Sequence, residues 1–423
     1  MKILLINPFQ YFSINRHLHR RFPISAITLP YLASLIPSEH AVCIVDEAHQ
    51  RIDFDTPADL VCITTLTVNA HRAYDIAGKF RRRGTKVVMG GPHVSALPDE
   101  ARQHCDAVAI GNAESTMSRI IADLEAGCMK DFYSSAEPSF IPAHVTGYCS
   151  SGWQTSVMAS RGCELSCDFC SMQNIFGKFY IQREPVSTIE DIRQVKTPII
   201  SFVDDNFYGA SHTSQAFYDQ VLDAVAESGK QWMAQVRLPI LRKESVLERF
   251  HQSNCVALFI GFESINPQNR AAMGKQKVDR DLYRRQIERI HDKGIGVIGS
   301  FIFGFDEDTP ETIEDTVDFC IESEMELTAF SALTPYPGTA VFKRMQEQGR
   351  LLSTDWRRYD SDQVLFEPQH FTPAALEQAV LKAAKRFYSM PSILKRLRFG
   401  MNYSPYQHYL LPNLLRKYSL MRM

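Results

Sequence analysis

Apolar runs of strand length, each followed by a stretch with helical spacing, recur along most of the 423 residues and leave few folds open. The first series is KILLIN, AVCIVD, DLVCITT, KVVMGG and DAVAIG, all within residues 1–125. Between its members lie helical patterns such as 69–83, in which Ala73, Ile76, Ala77 and Phe80 fall on one face. Strands alternating with helices in this rhythm predict a doubly wound, Rossmann-like parallel sheet with its ligand crevice at the carboxyl ends of the strands. Those ends are Asn7-Pro8-Phe9, Thr64 to Thr67, Gly90-Gly91-Pro92-His93 and Gly111-Asn112-Ala113-Glu114.

Residues 126–152 lose the alternation, carry Pro138 and Pro142, and read as a linker. A second series then runs through 153–345: TSVMA at 155–159, IISFVDD at 199–205, WMAQVRL near 232–238, VALFIGFES near 256–264, GVIGSFIFGF at 296–305 and TAFSALTP at 328–335. Six strands with intervening helices fit an incomplete parallel (β/α)6 barrel, so the fold class is α/β and the chemistry belongs at the C-terminal strand ends. Residues 346–423 read as a helical region with a basic end: from Lys382 onward there are nine Lys or Arg and no Asp or Glu. Interleaved Phe, Tyr, Leu and Met make that end amphipathic, so it reads either as a contact for a membrane surface or acidic partner, or as a packed cationic tail.

A composition 45% hydrophobic and 22% charged is that of a soluble globular protein. No run of about 18 uncharged apolar residues predicts a spanning helix, and MKILLINPFQ reads as a strand meeting a turn rather than a secretory signal. A cytoplasmic protein is expected. The net charge of -2 gives no sign of nucleic-acid binding. Of ten cysteines, three fall within 163–170, which no disulfide scaffold of this size requires. Cys43, Cys62, Cys255 and Cys320, in or beside apolar stretches, read as inert core thiols.

The segment Ser160-Arg161-Gly162-Cys163-Glu164-Leu165-Ser166-Cys167-Asp168-Phe169-Cys170 follows the first strand of the second series. CxxxCxxC spacing on a compact loop can wrap three thiolates around three corners of one cubane and leave the fourth iron without a protein ligand, whereas ferredoxin clusters are closed by a fourth cysteine. Zinc is the alternative, but structural zinc sites add a second CxxC or HxxxH pair, and none accompanies this loop.

At these residues the chain resembles the radical S-adenosylmethionine superfamily, over roughly 153–345. The resemblance implies a 4Fe-4S cluster on Cys163, Cys167 and Cys170, with S-adenosylmethionine chelating the open iron and yielding a 5'-deoxyadenosyl radical after one-electron cleavage. An external donor of flavodoxin or ferredoxin type is implied with it. By the same resemblance Phe169 approaches the adenine; Asp204, Asp205 and Asn206 receive the amino group; Glu263 and, more weakly, Gln235 and Arg237 contact the ribose or the carboxylate. Gly299, within the glycines of 294–304, would let the fifth strand's backbone approach the adenine, since a residue without Cβ leaves room.

A doubly wound domain ahead of such a barrel resembles the cobalamin-binding class of these enzymes, in the branch of the anaerobic magnesium-protoporphyrin ester cyclase and the hopanoid methylases. The shared stretches are AHRAY at 70–74, Gly90 to His93, Gly111 to Glu114, FVDDNF at 202–207, IGFES at 260–264, Met273-Gly274-Lys275, GSFIFGF at 299–305 and PYPGT at 335–339. The DxHxxG that supplies a cobalt-ligating histidine in methionine-synthase-type domains is absent; Asn7-Pro8-Phe9-Gln10-Tyr11-Phe12 stands in its place. The resemblance then puts Leu66 and Thr67 under the lower face of cobalamin, and Gly90, Gly91, Gly111 and Glu114 along its nucleotide tail. His93 reads as a hydrogen-bonding loop residue rather than a ligand.

The expected activity is methylation of an unactivated carbon by cobalamin after radical formation on an apolar substrate. Radical cyclisation, oxidation or C–C coupling on a lipid or tetrapyrrole is the alternative within enzymes, and a non-catalytic iron-sulfur protein the alternative outside them.

Overall fold

The computed structural model describes residues 1–9, 27–135, 154–209, 215–273, 280–398 and 400–421; the Pro138–Pro142 stretch, Gln10 to Phe12 and Gly274-Lys275 lie outside these. The first sheet contains β1 (Lys2–Asn7), β2 (Ala41–Asp46), β3 (Leu60–Thr64), β4 (Lys86–Gly90), β5 (Ala107–Ile110) and β6 (Phe132–Ser134). All pairs are parallel and the order is β2-β1-β3-β4-β5-β6. Its central strands are buried on both faces, Ile3 to Ile6 and Leu60 to Ile63 being nearly inaccessible, as helices packed on both sides require. The helix Ala70–Arg82 buries Ala73, Ile76, Ala77 and Phe80 on the face its spacing predicts. β6 comes from within the stretch read as a linker, so the sheet has six strands rather than five. β2 is an edge strand, and Cys43 on it is exposed, unlike Cys62, Cys255 and Cys320, which are buried. Burial pushes the Cys62 thiol up to about 12, so it behaves as an apolar side chain.

The second sheet takes β7 (Gln154–Val157), then, after the hairpin β8 (Ser160–Cys163) and β9 (Phe179–Gln182), β10 (Ile199–Phe202), β11 (Gln231–Val236), β12 (Cys255–Glu263), β13 (Gly296–Phe303) and β14 (Leu327–Ala332). Its order β14-β13-β12-β11-β10-β7 follows the chain and every pair is parallel, the arrangement of an unclosed barrel. Burial alternates along β12 to β14: Leu258, Ile260, Phe262, Val297, Phe301, Phe303 and Phe330 join the core under the helices. Alternate positions, Phe259, Gly261, Glu263, Ile298, Ser300 and Ile302, share the opposite, less buried face.

Gly299 points into that core. A Cβ there would lie 2.8 Å from Met325 Sδ and 2.9 Å from the Phe301 ring, so the room its missing side chain leaves is filled by the protein, not by a ligand. The expected role of Gly299 at the adenine is therefore replaced by a packing role.

The C-terminal region is helical: Pro373–Phe387, Met390–Lys395 and Leu411–Met421, with a π-helical turn Pro405–Leu410. Much of its positive charge is spent inside the molecule. Lys382 and Arg386 pair with Glu314 (2.6 and 2.9 Å), and Arg398 with Glu324. Arg396 is wholly buried, donating to the carbonyls of Met325, Glu326 and Phe387 and stacking 3.6 Å above the Phe387 ring. No helix among the described residues is long and apolar enough to cross a membrane. The segment after the barrel returns to the first sheet, where Trp356, Tyr359 and Leu365 complete its core.

Candidate cofactor site

The cysteine loop begins as a strand. Ser160–Cys163 pairs antiparallel with Phe179–Gln182, with Cys163 opposite Phe179. Gly162 sits at φ 90°, and a Cβ there would meet the Phe179 ring at 2.7 Å, so this turn toward Cys163 admits only glycine. Cys167 and Cys170 follow in a tight turn closed by Cys170 N–H to Cys167 O (3.2 Å). The loop is also tied to the far end of the barrel: Asp168 pairs with Arg344 at 3.0 Å, and its carbonyl accepts from Val341 N–H at 3.2 Å. The segment that carries the thiols is thus tied to the helix Ala340–Glu347, which follows the last strand.

Among the described residues no three His, Cys, Asp or Glu side chains converge on a single ion. Three cysteines on one loop are the donor set of a cubane with one open iron, whereas a structural zinc site takes four protein ligands. Burial pushes the Cys163 thiol up, opposed by the Leu165 N–H and the Arg237 charge.

The acidic end of β10 divides its work. Asp204 is buried, and its carboxylate accepts from Ser160 Oγ (2.5 Å), Ala159 N–H (3.2 Å) and Ser160 N–H, which ties it to the start of β8. Desolvation pushes it up to about 7 despite these bonds. Asp205 accepts from Gly162 N–H (2.8 Å) and stays half-buried. Asn206 donates to Gly209 O (2.9 Å), while its Oδ1 is buried with no hydrogen-bond partner. Gln235 is exposed on the next strand and donates to Asp205 O (3.2 Å). Phe169 stands edge-on to Phe305, 6.1 Å between centroids.

Glu263 ends β12 at φ 62°, a left-handed conformation that a glutamate adopts only when its surroundings impose it. The pairing with β13 shifts there, and the carboxylate folds back over Gly261, where any Cβ would strike it. The sequence Gly-Phe-Glu is thus read by the fold as a bulge that turns one carboxylate back over the end of its own strand.

A cavity of about 310 Å³ lies at the carboxyl ends of β3, β4 and β5. Leu66, Gly90, Gly91 and Gly111 line it from the first sheet; Met158, Ser160, Arg161, Met172 and Asp205 line it from the cysteine-loop side. Thr67 is buried and does not line it; Glu114 lies at its margin, bonded to two residues that do. Gly91 has φ 103°, and a Cβ would come within 2.8 Å of Thr65 N, so the ends of β3 and β4 touch backbone to backbone. The lining is apolar with glycine edges, as the face of a large flat ligand requires. No histidine lines it among the described residues. His93 is fully buried elsewhere, its Nε2 3.1 Å from Tyr74 Oη and 3.6 Å from Glu100. Sequence reasoning missed Tyr31, Arg161, Met158 and Met172: their neighbours are distant in the chain and no local motif marks them.

The family model of the radical SAM superfamily matches residues 157–320, and that of the B12 binding domain matches residues 44–121. The bacteriochlorophyllide d C-12(1)-methyltransferase of Chlorobaculum tepidum is 31% identical over 80% of this chain and 77% of its own length. This chain belongs to the radical SAM superfamily, in its cobalamin-binding class. The hopanoid C-2 methylase of Rhodopseudomonas palustris is 26% identical over 86% of the chain and 71% of its own length. Two solved structures share the fold. The radical SAM methyltransferase TsrM of Kitasatospora setae with cobalamin and a [4Fe-4S] cluster has a TM-score of 0.66 at 17% identity, covering 82% of this chain and 78% of that one. The cobalamin-dependent radical enzyme OxsB with aqua-cobalamin and S-adenosylmethionine has a TM-score of 0.71 at 12% identity, covering 99% and 72%. As a radical SAM enzyme of this class, the chain uses a 4Fe-4S cluster, S-adenosylmethionine and cobalamin.

Proposed function

We propose that this enzyme methylates an unactivated carbon of a large apolar substrate, a tetrapyrrole or a lipid. The observation that carries the reading is the single cavity shared by the glycine-edged end of the first sheet and the cysteine hairpin, through Ser160, Arg161 and Asp205. When bound, the cluster and S-adenosylmethionine supply the 5'-deoxyadenosyl radical and cobalamin supplies the methyl group. The relatives that act on bacteriochlorophyllide d and on hopanoids favour the apolar substrate class, and the first of them favours a tetrapyrrole.

In this reading Cys163, Cys167 and Cys170 hold the cluster, and Phe169, backed by Phe305, meets the adenine. Asp205 and the unpartnered Oδ1 of Asn206 receive the amino group, while Asp204 braces the hairpin instead of touching a cofactor. Glu263 and Gln235 meet the ribose. Leu66 lies against the lower face of cobalamin, with the buried Thr67 next to it in the chain; Gly90, Gly91 and Gly111 give way to the nucleotide tail. Residues 1–135, which include β6, 153–345 and 346–423 are the working units, and the electron comes from an external flavodoxin or ferredoxin. We place the enzyme in the cytoplasm with peripheral contact to a lipid surface through the C-terminal helix, where Leu414, Lys417, Tyr418 and Met421 share one side and three of the four are exposed. Cosedimentation with anionic but not neutral vesicles is the expected result.

The deciding experiment is anaerobic incubation of reconstituted protein with bacteriochlorophyllide d, hydroxocobalamin, S-adenosylmethionine and dithionite. A product heavier by one methylene supports methylation; a dehydrogenated or cyclised product of unchanged carbon count would sink it. The cob(II)alamin form should show an electron paramagnetic resonance spectrum without nitrogen triplets, since Asn7 to Phe12 stand where a DxHxxG motif would supply the imidazole.

A further inference from the structure

One buried ion pair joins the two sides of the cavity. Glu114, just beyond β5, has a side chain 1% exposed and accepts from Arg161 of β8. The same oxygen accepts from Tyr31 Oη at 2.9 Å, and the Arg161 guanidinium lies 5.8 Å from the centre of the Tyr31 ring. Tyr31 sits on the helix Thr28–Ser34, so three separate parts of the chain meet here. The second oxygen of Glu114 is buried without a hydrogen-bond partner. Among the described residues no other ion pair connects the first sheet with the cysteine hairpin.

Arg161 stands two residues before Cys163. The strand between them is held from below by Asp204 and Asp205 on the amides of Ser160 and Gly162, and from one edge by β9. Those contacts all lie within the barrel. The hairpin is fixed against the first sheet by the Glu114 pair, by apolar packing of Met158 and Val203, and by the helix Ser171–Phe176 lying on the helix Pro92–Ala96. Apolar packing is non-directional, whereas a buried ion pair is directional and leaves an uncompensated charge when it opens.

We propose that Arg161, Glu114 and Tyr31 are positioning residues that set the distance and angle between the cysteine hairpin and the glycine edge of the cavity. The coupling they provide rests on the reading that cobalamin lies on that edge. A methyl donor and a radical source on opposite walls must be brought to one substrate atom, and a displacement of about 1 Å is enough to misalign reacting groups.

The test uses cluster-loaded protein with and without hydroxocobalamin, and the variants Glu114→Gln, Arg161→Met, Arg161→Lys and Tyr31→Phe. Without cobalamin, hydrogen exchange of the amides of 160–163 should quicken at least tenfold in Glu114→Gln and Arg161→Met, and less in Arg161→Lys and Tyr31→Phe. With cobalamin and dithionite, the reduced cluster should speed the spin relaxation of cob(II)alamin in the wild type. That enhancement depends steeply on distance, and it should fall at least twofold in Arg161→Met while iron content and cobalamin occupancy hold, with Arg161→Lys recovering most of it. Unchanged exchange would overturn the tie. Quickened exchange with an unaltered relaxation enhancement would show a structural contact alone and overturn the positioning role. A wild-type chain that took up no cobalamin would defeat the methyl-transfer reading and the coupling together, a failure separate from that of the exchange result.

Discussion

In the hairpin after β7 and at the ends of β10 and β12 the chain presents Cys163, Asp205 and Glu263, whereas at the ends of β3, β4 and β5 it presents Leu66, Gly90-Gly91 and Gly111. Both sheets are parallel and both offer their carboxyl ends to a ligand, yet one is armed with side chains and the other with bare backbone. The difference follows from what each must hold. Metal and a charged sulfonium ligand need donors of fixed charge and geometry. A flat uncharged face needs surface and close approach, which glycine and leucine provide. Side-chain truncation should therefore be ruinous at one end and mild at the other, while an added methyl should show the reverse.

The largest effect is expected from replacing Cys163, Cys167 and Cys170 with Ala together. Reconstituted wild type should hold about four irons per chain and a broad charge-transfer band, as a single cubane on three thiolates implies. The triple variant should lose both, with deoxyadenosine formation falling to background. A full iron complement in that variant would place the cluster elsewhere and dissolve the contrast between the two ends.

Next is Glu263→Ala, which should weaken S-adenosylmethionine binding about 10- to 100-fold, equivalent to about 1–3 kcal/mol for lost hydrogen bonds to a polar ligand, and leave cobalamin binding unchanged. The mirror experiment is Gly91→Ala. Its Cβ would crowd Thr65 N at 2.8 Å and Thr65 O at 2.9 Å with φ at 103°, so the loop carrying Leu66 must shift. Cobalamin affinity should drop roughly tenfold, a cost of about 1–3 kcal/mol in backbone strain, with iron content untouched. If Gly91→Ala bound cobalamin normally, or Glu263→Ala impaired it, the division of labour would fail.

How far the sequence discloses this arrangement depends on the range of the contact. The six strands of the barrel and five of the first sheet are legible because alternation and helical spacing are local. β6 is missed because three residues, Phe132–Ser134, in a stretch without periodicity become a strand only by pairing with β5. The hairpin that carries Cys163 is missed because Ser-Arg-Gly-Cys has no strand pattern; its pairing with Phe179–Gln182 is made possible by the missing Cβ of Gly162. Asp204 and Asp205 are neighbours of one type, and only the fold shows that the first is consumed by Ser160 while the second faces the cavity. Arg161 and Tyr31 meet through Glu114 across separations of 47 and 83 residues, which no window along the chain can register.

The smallest effect concerns a carboxylate at the armed end that serves structure alone. Asp308, in the loop after β13, accepts from Gly304 N–H (2.8 Å) and Phe305 N–H (3.1 Å) with one oxygen and from Asn269 Nδ2 (2.7 Å) with the other. It thereby holds Phe305, on which Phe169 leans. Burial outweighs these bonds and pushes the carboxyl up to about 6 from its ordinary value of 3.8. Between those two values the folded chain binds more protons than the unfolded chain, so stability from this group is greatest below about pH 4 and is lost as the pH rises through about 6. The whole loss is about 3 kcal/mol. Asp308→Asn cannot ionise, so its urea midpoint relative to wild type should climb steadily from pH 4 to pH 6 and level off above. Parallel curves for the two proteins would mean that Asp308 titrates normally. The carboxylates at this end would then be solvated groups free to meet a ligand, and the contrast with the bare backbone of the first sheet would extend to Asp308 as well.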